Sequence, residues 1–389
     1  PIKASPHIVC ANALTTDWTT LSPSFDYIFG NPPFLGGMWT SPEQKSDMAA
    51  VFGAKQKMLG ELDFVTAWFK KSSDLIKGTS TRCAFVATNS ITQGQCVPVL
   101  GRALDVEIDF AYRTFKWHNE AKDNAAVHCV IIGFAEKPRK ERLIFDGDTV
   151  TRAGNINAYL VDAPNVLIES HAQPIRRVVD MFYGSMPIDN GFLILEPADR
   201  NAILAEHPGA ASCIRPVSGG DEYLNSKERF CLWLVDADPS VWMKVPAIVE
   251  RVKGVKAFRE ASGRAATVKL AATPSLFGEI RQPKTDYLII PKVSSENREY
   301  IPIGFMSPEV IATGSALIVP NATTYHFGIL TSRMHNAWMR AVAGRMKSDY
   351  QYSKNIVFNN FIWPEVTDET QAKVADAAQA VLDARKNHP

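Results

Sequence analysis

Phe25-Asp26-Tyr27-Ile28-Phe29-Gly30-Asn31-Pro32-Pro33-Phe34 is the stretch on which the reading of this chain turns. Its apolar run predicts a buried strand that stops at a glycine. Proline fixes its own φ near about −65° and pushes the preceding residue into an extended conformation. Two prolines after Asn31 therefore make a stiff spur at the strand's carboxyl end. The Asn31 side-chain carbonyl and the Pro32 backbone carbonyl are both acceptors and can converge on one amine. On an aromatic amine, that pair draws the hydrogens out of the ring plane and frees lone-pair density for attack on an electrophile. Phe34 offers a flat face for stacking. A proline turn that merely closes a strand, with Phe34 in the core, is the competing explanation.

The surrounding sequence sets the frame. With 389 residues the chain is too long for one ordinary core, and two domains with a small appendage are expected. Its 46% hydrophobic and 21% charged content is that of a globular protein. No run approaches the roughly eighteen apolar residues of a membrane span. No apolar segment of the signal-peptide kind follows Pro1-Ile2-Lys3. The chain does not begin with Met, and a piece of a longer protein is expected. Six cysteines are scattered without a Cys-x-x-Cys pair, mostly in apolar runs such as Arg82-Cys83-Ala84-Phe85-Val86. They read as reduced buried thiols of a cytoplasmic protein, with no metal site. A net charge of +1 means that any nucleic-acid affinity must come from local patches.

Before the motif stands a short predicted strand, His7–Cys10, and then Asn12-Ala13-Leu14…Asp17-Trp18. After it, residues 36–53 read as a polar, mobile loop. An apolar stripe (Leu62, Val65, Trp68/Phe69, Leu75/Ile76) predicts a helix from Met58 to Lys77, with Gly78 as its C-cap. Three strands follow, Cys83–Thr88, Val106–Tyr112 and Ala126–Phe134, the last almost continuously apolar. Strands alternating with helices, apolar on both faces, indicate a mainly parallel sheet. Ligands bind such sheets outside the strands' carboxyl ends, where Asn31 to Phe34 lie. Residues 113–124 read as a basic rim loop with two aromatics, Phe115 and Trp117. Asp109 with Glu120-Ala121-Lys122 has the letters of a metal-dependent nuclease, a spacing common by chance. His118 is taken as a solvated loop residue.

The texture changes through Asn155, Pro164 and Pro174. This gives a division into 1–145, a linker at 146–175, a mixed α/β second domain at 176–364, and a C-terminal helical segment at 365–389. Residues 251–292 carry nine Lys/Arg against three acids, and a helix from Val245 to about Ser262 opens them. Arg264, Lys269 and Arg281 from this excess are candidate phosphate contacts. A second helix is predicted over His326–Val342, with Leu330, Met334, Trp338 and Ala341 inward and Arg333 sharing a face with Arg340. Arg345, Lys347 and Lys354 follow, interleaved with Tyr350 and Tyr352. Together with Arg333 they complete the candidate DNA surface.

Asn31-Pro32-Pro33-Phe34 resembles the catalytic motif of amino-group DNA methyltransferases, Asp/Asn/Ser-Pro-Pro-Tyr/Phe/Trp. Chance alone supplies such a tetrapeptide in roughly one chain in a hundred of this size. Longer segments are more specific. Asn12-Ala13-Leu14…Asp17-Trp18, Phe25 to Gly37, Lys227-Glu228-Arg229-Phe230-Cys231-Leu232-Trp233, Ala271-Ala272-Thr273-Pro274, Arg345-Met346-Lys347-Ser348-Asp349-Tyr350 and Asn359-Asn360-Phe361-Ile362-Trp363-Pro364 are similar to those of the MmeI family. These are single-chain type II restriction-modification proteins with adenine-methylating activity, and the similarity spans nearly the whole chain.

The resemblance implies a partial, N-terminally truncated Rossmann-like class I methyltransferase sheet, followed by an α/β target recognition domain that binds double-stranded DNA. It implies that Asn31 and the Pro32 carbonyl hold a flipped adenine's amino group, with Pro33 stiffening the spur and Phe34 stacking on the ring. Phe115 is the candidate for the other wall of the base pocket. Asn12 would approach the adenine of the methyl donor, S-adenosylmethionine. One family element is missing: the upstream Gly-rich loop of the Asp-Pro-Ala-x-Gly-Ser-Gly type. Neither Gly36-Gly37 nor Gly219-Gly220 reads as strand-loop-helix. The family's amino-terminal nuclease is also missing. The expectation is an acceptor half plus a specificity domain, inactive alone. The alternatives are a pure DNA-binding specificity module and a methyltransferase acting on RNA or a protein glutamine. The basic second domain argues against the protein substrate.

Overall fold

The computed structural model describes residues 7–53, 56–117 and 127–387. The chain divides into two compact units, Pro1–Ser170 with Ala341–Ser348, and His171–Arg340 with Asp349–Pro389.

The first unit is built on six strands: β1 (Tyr27–Gly30), β2 (Arg82–Thr88), β3 (Glu107–Trp117), β4 (Val127–Ala135), β5 (Arg142–Asp146) and β6 (Thr149–Ala153). Their order across the sheet is β1-β2-β4-β3-β5-β6. β1 runs parallel to β2, with Gly30 opposite Phe85. β4 is antiparallel to both its neighbours, so the sheet is mixed rather than mainly parallel. A continuous apolar run marks burial on both faces but carries no strand direction. β3 extends to Trp117, so residues 113–117 are strand where a loop was expected. The remainder of that expected loop, including His118 and Glu120 to Lys122, lies outside the described residues. β6 lies within the expected linker. His7–Cys10 forms no strand.

Helices α1 (Pro42–Phe52), α2 (Thr66–Leu75) and α3 (Cys96–Ala103) belong to the same unit. α1 replaces the expected polar loop. Its signal is Ser41-Pro42-Glu43-Gln44, in which Ser41 and Gln44 form a reciprocal capping box with proline at the first turn. α2 begins at Thr66, eight residues later than expected, behind a short turn at Leu59–Glu61. Phe69 from α2 packs on Phe85 of β2 and Phe134 of β4, with ring centroids 5.3 and 5.5 Å away. Alternation along β2 puts Cys83, Phe85 and Ala87 into this core.

β1 differs from the other strands. It is the sheet's edge, and Tyr27 and Phe29 are 65% and 80% exposed. The expected buried strand therefore has one covered neighbour, β2, and an open outer edge among the described residues.

The second unit contains two four-stranded sheets. One runs Ile311–Ala312, Ile214–Ser218, Phe230–Leu232, Ile194–Leu195; the other runs Gly304–Met306, Tyr287–Pro291, Ala316–Pro320, Phe182–Tyr183. The helix Pro246–Glu260 buries Ile248, Val252, Val255 and Arg259. The predicted single helix at 326–342 is two helices, Thr324–Thr331 and Arg333–Val342. Ser332 interrupts them in an extended conformation, and its hydroxyl accepts from the His335 amide at 3.2 Å. The helix Asp368–Lys386 closes the unit, as its periodicity predicts. It lies close to Gly328, where an added β-carbon would come 3.0 Å from Val374 and 3.1 Å from Ala378.

Candidate active site and nucleic-acid surface

β1, β2 and β3 point the same way, so their carboxyl ends share one rim of the sheet. Asn31 to Phe34 leave β1 at that rim. Asn31 is exposed, Pro32 is buried and Phe34 is half-buried. The spur thus has a fixed root and a free amide tip. Beside it lies an open hollow of about 450 Å³, lined by Trp18, Phe25, Phe29, Asn31, Pro33 and Trp68 among others.

Phe115 is half-buried near the end of β3, opposite Cys129. Its ring meets Tyr112 edge-on at 5.4 Å and Trp117 at 6.1 Å. The residue is on the same rim as Asn31, within a strand rather than a loop. Asp109, the acid of the nuclease-like letters, is buried and ion-paired with Arg82, and accepts from the Arg139 amide at 2.8 Å. It is a structural anion, and no group of three metal-ligating side chains occurs among the described residues.

Asn12 is exposed, but its amide is occupied. Its Nδ2 donates to Asp47 at 2.9 Å and its Oδ1 accepts from the Leu14 amide at 2.9 Å. Lys71 organises the rest of this turn. Its ammonium donates to the carbonyls of Ala13 and Leu14 at 2.9 and 2.8 Å and to that of Thr16, and sits 5.1 Å from the Trp18 ring centroid. Burial pulls its pKa down, with Asp17 opposing. No sequence signal links Lys71 to a turn more than fifty residues upstream.

The basic candidates of the second unit separate into two groups. Arg264, Lys269 and Arg333 are exposed. Arg333 stands 3.5 Å from the Tyr300 hydroxyl. Lys354 rests over the Phe182 ring at 5.4 Å. Arg281 is engaged inside the protein, ion-paired with Glu279 and donating to the Gly184 carbonyl. Arg251 holds Asp199 and the carbonyls of Phe192 and Ile194, while Arg259 is fully buried. The excess of basic residues at 251–292 is therefore partly internal. Gly219-Gly220 does join a strand to a helix, contrary to expectation, but that helix has six residues. Its first turn is closed by Glu222, which accepts from the Gly219 amide at 2.9 Å. In the first unit, exposed Lys347 adopts a positive φ of 59°, and Arg345 donates to the Ser348 carbonyl at 2.7 Å.

A sheet that delivers an Asn-Pro-Pro-Phe spur to its rim, followed by a separate α/β unit, points to the class: a DNA methyltransferase domain joined to a target recognition domain. Residues 1–146 match the MmeI DNA-methyltransferase domain and residues 162–365 match the MmeI target recognition domain. The chain belongs to the MmeI family. It is 37% identical over 394 residues to DNA methyltransferase A of Bacillus subtilis (strain 168), covering 99% of this chain and 45% of that protein. It is 42% identical to the Type IIL restriction-modification enzyme MmeI, solved in complex with DNA, with a TM-score of 0.93 over 100% of this chain and 53% of that one. The chain thus spans about half the length of these relatives. No described helix is long and apolar enough to cross a membrane.

Proposed function

We propose that this chain carries the acceptor half of an adenine-N6 DNA methyltransferase of a restriction-modification system, together with the unit that recognises its double-stranded DNA. The observation that supports the reading most directly is the Asn31-Pro32-Pro33-Phe34 spur, rooted by a buried proline at the carboxyl rim of a methyltransferase-family sheet. Asn31 Oδ1 and the Pro32 carbonyl accept the two hydrogens of a flipped adenine's amino group. Held this way, the nitrogen lone pair leaves conjugation with the ring. The two carbonyls would keep hold of the hydrogens while the nitrogen takes the methyl; the electrons of the methyl–sulfur bond would stay on the departing neutral thioether, and one proton would then pass to water. Phe34 stacks on one face of the base and Phe115 closes the other.

S-adenosylmethionine, when bound, supplies an electrophilic methyl on a positively charged sulfur. The residues here fit it in part. The hollow beside β1 suits the adenine end of such a molecule, whereas Asn12 spends its amide on Asp47 and the Leu14 N–H and would have to release them to contribute. The open outer edge of β1, with Tyr27 and Phe29 uncovered, fits a sheet that continues on that side with the donor-binding strands. Arg264, Lys269, Arg333, Arg345, Lys347 and Lys354 are the proposed phosphate and groove contacts. Arg281 contributes less, because its guanidinium is already paired.

The same open edge favours a second reading, in which these residues alone form a DNA-binding specificity module without activity. Labelled-donor methylation of duplex DNA, run with this chain and with an upstream-extended one, separates the two. Transfer by the extended chain alone is expected. Calorimetry of this chain with S-adenosylmethionine is expected to show no tight one-to-one binding, and tight binding would contradict the half-site reading.

A further inference from the structure

Immediately after the motif, the chain docks on one short segment. The Phe64 amide donates to the Leu35 carbonyl at 2.8 Å. A β-carbon at Gly37 would lie 2.5 Å from the Gly60 carbonyl oxygen and 2.8 Å from that of Leu62, so only glycine permits this approach. The Thr40 hydroxyl closes the turn on the Gly37 carbonyl at 2.7 Å. Residues 35–37 therefore take their position from residues 60–64.

Asp63 lies inside that segment and reaches the other way. Its Oδ2 accepts from the Thr88 hydroxyl at 2.6 Å and also from the Ser90 hydroxyl. Thr88 ends β2, the strand paired with β1, and Ser90 lies just past it. The other oxygen, Oδ1, faces the motif loop, 3.7 Å from where a β-carbon on Gly36 would stand. The segment 60–64 thus links the loop that follows Phe34 to the carboxyl end of the neighbouring strand, holding the loop through its backbone and the strand end through the Asp63 carboxylate. Bonds from hydroxyls to a charged carboxylate are about twice as strong as neutral ones.

We infer that Asp63 is a positioning residue for methyl transfer: it fixes the Asn31–Phe34 spur against the Thr88–Ser90 rim without touching the reacting atoms. The inference rests on the methyltransferase reading above. A displacement of about 1 Å at a reacting centre costs roughly a hundredfold in rate.

The test uses the full-length protein, with transfer to a duplex oligonucleotide measured alongside DNA-binding stoichiometry and melting temperature. Asp63→Ala is expected to lower kcat about a hundredfold. KM for DNA should stay within about twofold, and one-to-one DNA binding and melting temperature should be kept. Thr88→Val/Ser90→Ala removes the same bonds from the opposite side and is expected to reproduce the loss. Asp63→Asn retains an acceptor oxygen and is expected to recover most of the rate. A purely architectural role would instead lower the melting temperature and the DNA-binding fraction in step with kcat. Either that result, or a double variant with kcat within twofold of wild type, overturns the inference. Asn31→Ala serves as the control. If it abolishes transfer while the Asp63 and hydroxyl variants remain active, the methyltransferase reading stands and only the role of Asp63 falls. A wild-type protein that transfers no methyl takes both down.

Discussion

The guanidinium of Arg259 places all five N–H groups on backbone carbonyls: Ile188, Leu270, Thr273, Pro187 and Leu276. Its charge belongs to the core and organises the turn around Ala271-Ala272-Thr273-Pro274. Arg259→Met leaves those carbonyls without donors and is expected to cost about 3 kcal/mol or more, read as a lowered urea midpoint. Exposed Arg264→Met should change it by about 0.5 kcal/mol or less. His335 is buried, hydrogen-bonds the Tyr352 hydroxyl at 2.9 Å and meets the Phe361 ring edge-on. Burial holds its pKa down to about 3, against an ordinary 6.5. The native state keeps it neutral while the unfolded chain takes up a proton. Its stabilising share is full above pH 6.5 and is lost as pH falls toward 3. His335→Gln is expected to flatten the loss of stability between pH 6.5 and 5, and an unchanged slope would contradict this. Among the cysteines, burial pushes the Cys83 and Cys231 thiols up to about 12, while Cys10 is exposed. A thiol reagent at pH 8 is expected to mark Cys10 alone in the native protein, as counted by mass spectrometry.

At the scale of elements, periodicity served well where a helix was uninterrupted and failed where a cap intervened. Phe69 within α2 and Ile76 at its end are buried as their spacing predicts, while Leu62 and Val65 are buried from the turn ahead of the helix. Past Ser332 the phase resets: Met334 is 71% exposed, whereas His335, Asn336 and Met339 are buried. Seryl capping was the available signal there, as it was at Ser41 for α1. Arg340, expected to share a basic face with Arg333, donates to the carbonyls of Arg298 and Glu299 and to the Tyr350 hydroxyl. Spacing identifies a face but not the partners already waiting on it. Lys347, held exposed at a positive φ, has no such commitment in its own turn. Lys347→Ala is expected to weaken DNA binding and to reduce the slope of log K against log salt by about one. An unchanged slope would remove Lys347 from the phosphate contacts.

Across the whole molecule, the family and its two parts were legible because long segments, not the tetrapeptide alone, carry them. The mixed strand order was not legible, since apolar runs do not encode direction. Lys71 and Asp63 were hidden because their partners lie tens of residues away and only folding brings them together. Under the proposed reading, the open edge of β1 would place the methyl donor on the uncovered side of the sheet, next to Asn31. The most direct measurement is methyl transfer from labelled donor to duplex DNA by the full-length protein and its Asn31→Ala variant, with DNA affinity measured in parallel. The expected result is that transfer by the variant is lost while DNA affinity stays within about twofold. Full transfer by Asn31→Ala would contradict it.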